Sequence, residues 1–189
     1  LVIGPDVYPF ALEGMLCHGN AGMSQLFIGV ARAALDHALD YAQERVQGGV
    51  PIGRHQSVRQ RLFRMFMKVE AARALARRTA LYLATNPPSL QHAIAAKVFS
   101  TSTAFEVASE ALQIFGGNGL TREYPVEKLL RDARASMIED GCNEMLGLVA
   151  GARMTCPFAR SNVLPCAAQV TCAIEPENVT RPRLSGAPW

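Results

Sequence analysis

The chain has no long apolar run and only a small excess of charge. None of its apolar stretches reaches the roughly eighteen residues that a membrane-spanning helix requires, and its start carries no signal-peptide pattern. Its 19 Lys and Arg residues nearly balance 16 Asp and Glu residues, for a net charge of +3. We therefore expect no membrane span and no nucleic-acid partner. The odd number of cysteines, with no CxxC pair, favours a reduced, cytoplasmic chain.

Several catalytic and metal-binding motifs are also missing from the sequence. The five cysteines form no CxxC pair, and the four histidines form no HxxxH or HExxH pair. No GxSxG motif is present, and the glycine-rich segment 116–119 lacks the Lys-Ser/Thr of a phosphate-binding loop. The sequence predicts no metal site, no disulfide framework and no serine-hydrolase chemistry.

What is present is the pattern of an all-α domain. Hydrophobic residues make up 49% of the 189 residues and charged residues 19%, enough for one domain with a buried core. Apolar residues recur in steps of three and four, and Gly- and Pro-rich breaks separate the segments. We predict an antiparallel helical bundle. The predicted helices cover residues 12–46, 59–84, 90–115, 124–136 and 143–154.

The two ends of the chain differ from this pattern. We assign residues 1–10 to a linker or a remnant of an upstream domain, and residues 11–155 to the bundle. Residues 156–189 contain five prolines and no helical stripe, which predicts an irregular tail. Because the first residue is Leu1 and not Met, we expect the chain to be a piece of a longer protein, or a processed or engineered one.

Two charged segments leave alternatives open. Six arginines between Arg59 and Arg78 form either a solvated helix face or a surface for anionic partners. Glu139 and Asp140 stand just before a helix break at Gly141, where they serve as helix caps or solvated charge, or as a general base. Composition alone does not separate these alternatives.

Residues 113–134 carry a specific resemblance. They read QIFGGNGLTREYPVEKLLRDAR, which closely resembles the signature Q-x-x-G-G-x-G-[FY]-x-x-E-[YF]-P-[VL]-E-[RK]-x-x-R-D-[AS]-[KR] of the acyl-CoA dehydrogenase family. Residues 51–58 also resemble a segment of that family. The resemblance covers residues 22–153 and implies the C-terminal helical bundle of a flavoenzyme, a homo-oligomer (dimer or tetramer). It also implies FAD as cofactor, an acyl-CoA substrate and electron-transfer flavoprotein or a similar acceptor.

The family oxidises an acyl-CoA thioester to the 2-enoyl-CoA, with a carboxylate that removes the α-proton. The turn that carries this base resembles residues 138–142, and the base position falls on Asp140 instead of Glu. Three interpretations remain open: Asp140 acts as the base, Glu139 replaces it, or the chain has lost classical dehydrogenation. Asp reaches about 1.5 Å less far than Glu, and such a displacement can cost on the order of a hundredfold in rate.

The same resemblance implies the cofactor-binding residues. Arg45 matches an arginine that reaches the FAD pyrophosphate of a neighbouring subunit, and Gln56 matches a flavin-contacting glutamine. Gln113 and Gly117 match the adenine and ribose side of that site, and Cys142 stands where the family keeps a hydroxyl beside the flavin. At the alternative base position on the first helix stands Gly19, followed by Asn20 where the family has arginine, so neither role is carried over.

Two other functions remain as alternatives. One is a superfamily relative without classical dehydrogenation, similar to a desulfinase or a monooxygenase. The other is a bundle that acts only in oligomerisation. For the isolated chain we expect negligible dehydrogenase activity, because the resemblance places half of each flavin site elsewhere.

Overall fold

The computed structural model describes residue 4 and residues 7–155, and it is an all-α bundle over that part of the chain. The irregular tail predicted for residues 156–189 lies outside the described residues, as do residues 1–3, 5 and 6. The described helices are α1 (Tyr8–Glu44), α2 (Gln56–Thr85), α3 (Leu90–Phe115), α4 (Val126–Ser136) and α5 (Asn143–Thr155). Short 3₁₀ helices cover Ile52–Arg54 and Gly116–Leu120.

Helix boundaries agree with the periodicity to within a few residues, and the differences have local causes. α1 begins at Tyr8, so residues 8–10 of the assigned linker are helical, with Pro9 tolerated in the first turn. α1 ends at Glu44, before the glycines at 48 and 49. The division of the chain into linker, bundle and tail stays a prediction.

A small hairpin replaces the predicted last turn of α1. Strands β1 (Val46–Gln47) and β2 (Val50–Pro51) pair antiparallel, with Val46 opposite Pro51. The two residues between them, Gly48 and Gly49, have φ values of 63° and 80°. A two-residue hairpin turn with both φ values positive suits glycine, so these residues form the turn and do not end a helix.

α3 is the central helix, packed against α1, α2, α4 and α5. In the N-terminal parts of the two helices, Cys17 of α1 clusters with Leu90 of α3. At their C-terminal ends, the ring of Tyr41 stacks on Phe115 at 4.0 Å between centroids. α1 and α3 therefore run in the same direction. α2 and α3 run antiparallel, as the salt bridge between Arg61 of α2 and Glu110 of α3 illustrates. α5 also runs opposite to α3, since Asn143 at its start bonds Lys97 whereas its later residues pack near Leu90. The predicted antiparallel bundle is confirmed.

Small side chains bring α1 and α3 close together. Alanines stand on the buried faces of both helices, and burial of such residues removes apolar area with little loss of side-chain entropy. These alanines belong to the main core cluster, with Phe27, Tyr41, Val69 and Val107 packed around them. The fully buried alanines of this contact are Ala31, Ala34, Ala38, Ala104, Ala108 and Ala111.

Charged side chains tie the surface of the bundle together. Glu127 pairs with Arg131 at 2.9 Å and Lys128 pairs with Asp132, both at i,i+4 spacing on α4, as expected for structural ion pairs. On the basic helix α2, Arg61 and Lys68 pair with glutamates of α3. This accounts for part of the basic face as a structural contact between helices.

α3 begins and ends differently from a regular helix. Ser89 occupies the N-cap position, but its side chain makes no capping hydrogen bond and bonds Nδ1 of His92 at 2.6 Å. At the other end, Gly116 has a φ of 61° and closes the helix, as the glycine-rich segment predicts. Gly119 is buried so closely that a Cβ there would lie 2.9 Å from the Leu112 carbonyl oxygen.

None of the helices within residues 7–155 combines the length and the apolar character needed to cross a bilayer.

In the glycine-rich segment 116–119, Gly119 is closely surrounded whereas Gly117 is not, and a measurement of stability tests this difference. A methyl group at Gly119 would meet both the Leu112 carbonyl oxygen and the Phe115 Cβ at 2.9 Å. We expect Gly119→Ala to lower the free energy of unfolding by about 1–3 kcal/mol, because backbone must shift. Gly117→Ala is the matched control, since nothing lies within 4 Å of its added Cβ. Equal denaturation midpoints for the two variants would contradict this account.

Cys17 makes stability depend on pH in the alkaline range. Its side chain is fully buried, and burial, with a smaller contribution from Glu13, raises the pKa of its thiol from 9.0 to about 11. Between those values the unfolded chain loses the thiol proton while the folded chain keeps it, so rising pH favours unfolding. We expect a loss of up to about 2–3 kcal/mol of unfolding free energy across pH 9–11.

Urea denaturation of the parent chain and of Cys17→Ala at several pH values measures this contribution. Other titrating groups are common to both proteins, so their effects cancel in the difference between the two curves. We expect that difference to shrink or reverse as the pH rises through 9–11. A difference that stays constant over this range would rule out the buried thiol as its cause.

Candidate functional site

Four of the sequence-predicted cofactor residues lie at one end of the bundle. Arg45 follows the last residue of α1, and Gln56 is the first residue of α2. Gln113 lies in the last turn of α3, and Gly117 follows in the adjoining 3₁₀ helix. All four are exposed. Because α1 and α3 run in the same direction, their C-terminal ends bring these residues to the same end of the domain.

An aromatic cluster fixes this end of the domain. Tyr41 stacks on Phe115, and both contact the ring of Tyr124 in edge-to-face geometry at 5.8 Å and 5.1 Å between ring centroids. The Tyr41 hydroxyl also accepts a hydrogen bond from the Asn118 side chain at 2.9 Å. These contacts join α1 to the glycine-rich segment, so the exposed residues nearby stand on a rigid base.

Asp140 lies in the turn between α4 and α5. Its φ of 52° is the one positive value among the non-glycine residues described, and Gly141 follows with a φ of 94°. Asp and Asn adopt this left-handed conformation more readily than most residues. Glu139 and Asp140 are exposed, and Cys142 is half-buried. The turn closes where the Asn143 backbone N–H donates to the Met137 carbonyl at 3.0 Å.

A buried lysine lies directly beneath this turn. The Lys97 ammonium, on α3, donates to the Gly141 carbonyl oxygen at 2.8 Å and to Oδ1 of Asn143 at 2.9 Å. Nδ2 of Asn143 donates to Oγ1 of Thr101 at 3.0 Å, and that hydroxyl donates to the Lys97 carbonyl at 2.9 Å. Lys97 and Thr101 are fully buried. The turn is therefore bonded to α3 through buried polar groups.

The electrostatics of this lysine reflect its position. Burial lowers the pKa of the Lys97 amine, because desolvation penalises the charged form. The acidic groups of the turn, with Asp140 the strongest, act in the opposite direction and favour the ammonium. The turn and the lysine are therefore coupled by charge as well as by hydrogen bonds.

The predicted site residues fall into two separate groups. Asp140, Glu139 and Cys142 lie on the turn beneath which Lys97 is buried, whereas the four exposed cofactor residues lie at the far end of α3. About 24 Å of helix rise separates Lys97 from Gln113 at 1.5 Å per residue. One copy of the chain therefore does not gather all the predicted residues around one point.

Sequence reasoning missed Lys97 and Asn143. The signal available for Lys97 is its setting in the apolar segment 93–99, where a lone lysine on the buried face requires polar partners. Asn20, which stands where the resemblance expects arginine, is also buried, and its Oδ1 has no hydrogen-bond partner. Its amide nitrogen donates to the Leu16 carbonyl at 2.9 Å.

Comparison with known proteins agrees with this architecture. Residues 10–155 match the family model described as acyl-CoA dehydrogenase, C-terminal domain. An acyl-CoA dehydrogenase of Bacillus subtilis is 40% identical over 131 residues, which cover 69% of this chain and 35% of that protein. The chain thus spans about a third of the length of the curated relatives it matches.

Solved structures give the same result. The butyryl-CoA dehydrogenase of Megasphaera elsdenii superposes with a TM-score of 0.72 at 37% identity, covering 76% of this chain and 38% of that one. A structure described as the electron transferring flavoprotein of Acidaminococcus fermentans superposes with a TM-score of 0.70 at 35% identity, and the match covers 74% of this chain and 37% of that one. Sequence and fold therefore establish that this chain belongs to the acyl-CoA dehydrogenase family, in the part that forms its C-terminal domain.

Proposed function

We propose that this chain is the C-terminal domain of an FAD-dependent enzyme that oxidises an acyl-CoA thioester to the 2-enoyl-CoA, with Asp140 as the base. The observation that carries the proposal is the exposed carboxylate of Asp140 on a turn bonded to the buried face of α3. That turn directly follows α4, whose sequence belongs to the family signature.

The role of Asp140 is to accept the proton from the carbon next to the thioester carbonyl. A carboxylate that removes such a proton must stand on a fixed backbone, because a displacement near 1 Å can cost on the order of a hundredfold in rate. The left-handed conformation at residue 140 suits Asp better than most residues, so the shorter side chain comes with a backbone that accommodates it. Glu139 is the alternative base, one residue earlier.

The surroundings of the turn support a substrate beside it. Ile138, Met145 and Leu148 are exposed apolar side chains that flank Asp140 in sequence and on the first turns of α5. Exposed apolar residues next to a carboxylate are suited to contact an acyl chain or another part of the enzyme. Such a cover would also exclude water from the reacting atoms.

The residues at the other end of the domain fit FAD by their chemistry. Arg45 offers a planar guanidinium that can bond a pyrophosphate in pairs, and Gln56 and Gln113 offer amide groups for the rest of the cofactor. Gln56 also opens α2, where unpaired backbone N–H groups favour an anion. Bound FAD would supply hydride acceptance from the β-carbon. We assign Cys142, near the base, to the flavin of its own subunit.

Because the two groups of residues lie far apart on one copy, the proposal includes a homo-oligomer. Arg45, Gln113 and Gly117 then serve the flavin of a neighbouring subunit, while Asp140 serves its own. The proposed electron acceptor is electron-transfer flavoprotein or a similar protein, as the family resemblance implies. The dimeric or tetrameric state and the cytoplasmic location stay predictions.

Substitution of Asp140 in the full-length protein, loaded with FAD, tests the proposal. We expect Asp140→Asn to lower kcat by about 10²–10⁴-fold, because the amide keeps the shape and the left-handed backbone but does not accept the proton. Reduction of the flavin by saturated acyl-CoA esters, from butyryl-CoA to palmitoyl-CoA, is the measurement. Glu139→Gln, which changes the adjacent carboxylate in the same way, is the matched control.

The outcomes separate the alternatives. Loss of flavin reduction in Asp140→Asn, with the flavin content and Glu139→Gln activity unchanged, supports Asp140 as the base. Loss only in Glu139→Gln would move the role to Glu139. If the parent protein binds FAD but no acyl-CoA ester reduces it, the proposed dehydrogenation is wrong, and chemistry without classical dehydrogenation takes its place. A parent protein that binds no FAD would leave only the oligomerisation role.

A further inference from the structure

The most unusual buried group in the described part of the chain is the side chain of Lys97. It is the largest fully buried side chain and the only charged residue among the buried ones within residues 7–155. No carboxylate within the described residues forms a salt bridge with it. A buried ammonium without such a partner needs oxygen acceptors placed on it, and the surrounding structure must supply them.

Those acceptors come from the turn that carries Asp140. One is the main-chain carbonyl of Gly141, the residue that follows Asp140, and the other is Oδ1 of Asn143. Asn143 is itself oriented by Thr101, one turn further along α3. The lysine therefore holds the backbone on the C-terminal side of Asp140 and leaves the carboxylate itself exposed.

The conformation of the turn explains why it needs such an attachment. Asp140 has a positive φ, which an L-residue seldom keeps without support from its surroundings, and Gly141 follows it with a positive φ that suits glycine. The bonds from α3 stabilise the Gly141 carbonyl in the position that this conformation gives it. Removal of the ammonium would leave the Gly141 carbonyl oxygen without its donor and allow the turn to relax.

We propose that Lys97 is a positioning residue, which fixes the backbone at Gly141 so that the Asp140 carboxylate stands at a set distance from the substrate. This inference rests on the proposed function, because it assigns Asp140 the role of the base. It predicts a separation of effects: the geometry of the turn depends on Lys97, whereas the stability of the bundle does not. Methionine at this position removes the cost of burying an ammonium, which offsets the loss of its two hydrogen bonds to the turn.

Lys97→Met in the full-length, FAD-loaded protein tests the proposal, because methionine fills the space without an ammonium. We expect kcat for flavin reduction by butyryl-CoA or the best acyl-CoA ester to fall by roughly tenfold to a hundredfold, with KM changed less than about threefold. The flavin content and the thermal midpoint should stay close to those of the parent. The matched control is Lys68→Met, which removes an exposed lysine paired with Glu106 of α3.

Amide hydrogen exchange gives a readout that does not require activity. In Lys97→Met we expect amides 141–146 to exchange at least about tenfold faster, while amides in the centre of α1 keep the parent rate. Lys68→Met should leave the turn unchanged. Asn143→Ala provides a second, milder variant if Lys97→Met does not fold, because it removes one of the two acceptors; its turn amides should also exchange faster.

Several results would overturn the inference. A folded Lys97→Met protein with parent kcat and parent exchange in the turn shows that the lysine does not position it. An equal fall in kcat and an equal rise in the exchange of the turn amides in the Lys68→Met control would mean that the lysine substitutions act through general stability and not through the turn. If Asp140→Asn keeps full activity, the proposed base is wrong, and faster exchange of the turn in Lys97→Met then supports only the structural attachment.

Discussion

The close contact between α1 and α3, made by alanines on both helices, is the constraint on which the rest of the domain depends. It places α3 at the centre, with α2, α4 and α5 packed around it. Because α1 and α3 run in the same direction, one end of the pair carries Arg45 and the glycine-rich segment. The N-terminal half of α3 carries Lys97, which bonds the turn that contains Asp140. The two groups of predicted functional residues are therefore held at a fixed separation by helix packing.

That separation gives the domain its proposed place in an enzyme. About 24 Å of helix rise separates Lys97, beneath the Asp140 turn, from Gln113 at the other end of α3, which supports the proposal that the two groups serve different flavins. The base turn is not a free loop, since a buried ammonium bonds its main chain. In the proposed role, the position of Asp140 depends on α3, an element inside the core, and the exposed carboxylate is left to contact substrate.

The sequence predicted much of this architecture, because amphipathic periodicity and glycine breaks are local signals. α3 begins and ends at the predicted residues, and Gly116 closes it as its position indicates. Three features escaped prediction for physical reasons. The hairpin after α1 depends on a turn of only two glycines, Ser89 bonds His92 instead of capping, and the partners of Lys97 lie more than forty residues away in sequence.

The assignment of Asp140 as a base held by α3 is tested most directly by a crystal structure of the full-length protein. It should contain FAD and a non-reacting acyl-CoA analogue. The account predicts an Asp140 carboxylate oxygen within about 3–3.5 Å of the carbon next to the thioester carbonyl, with the Lys97 bond to Gly141 intact. It also predicts Arg45 at the flavin of another subunit. A structure in which Asp140 points away from the thioester, or in which another carboxylate occupies that position, would contradict it.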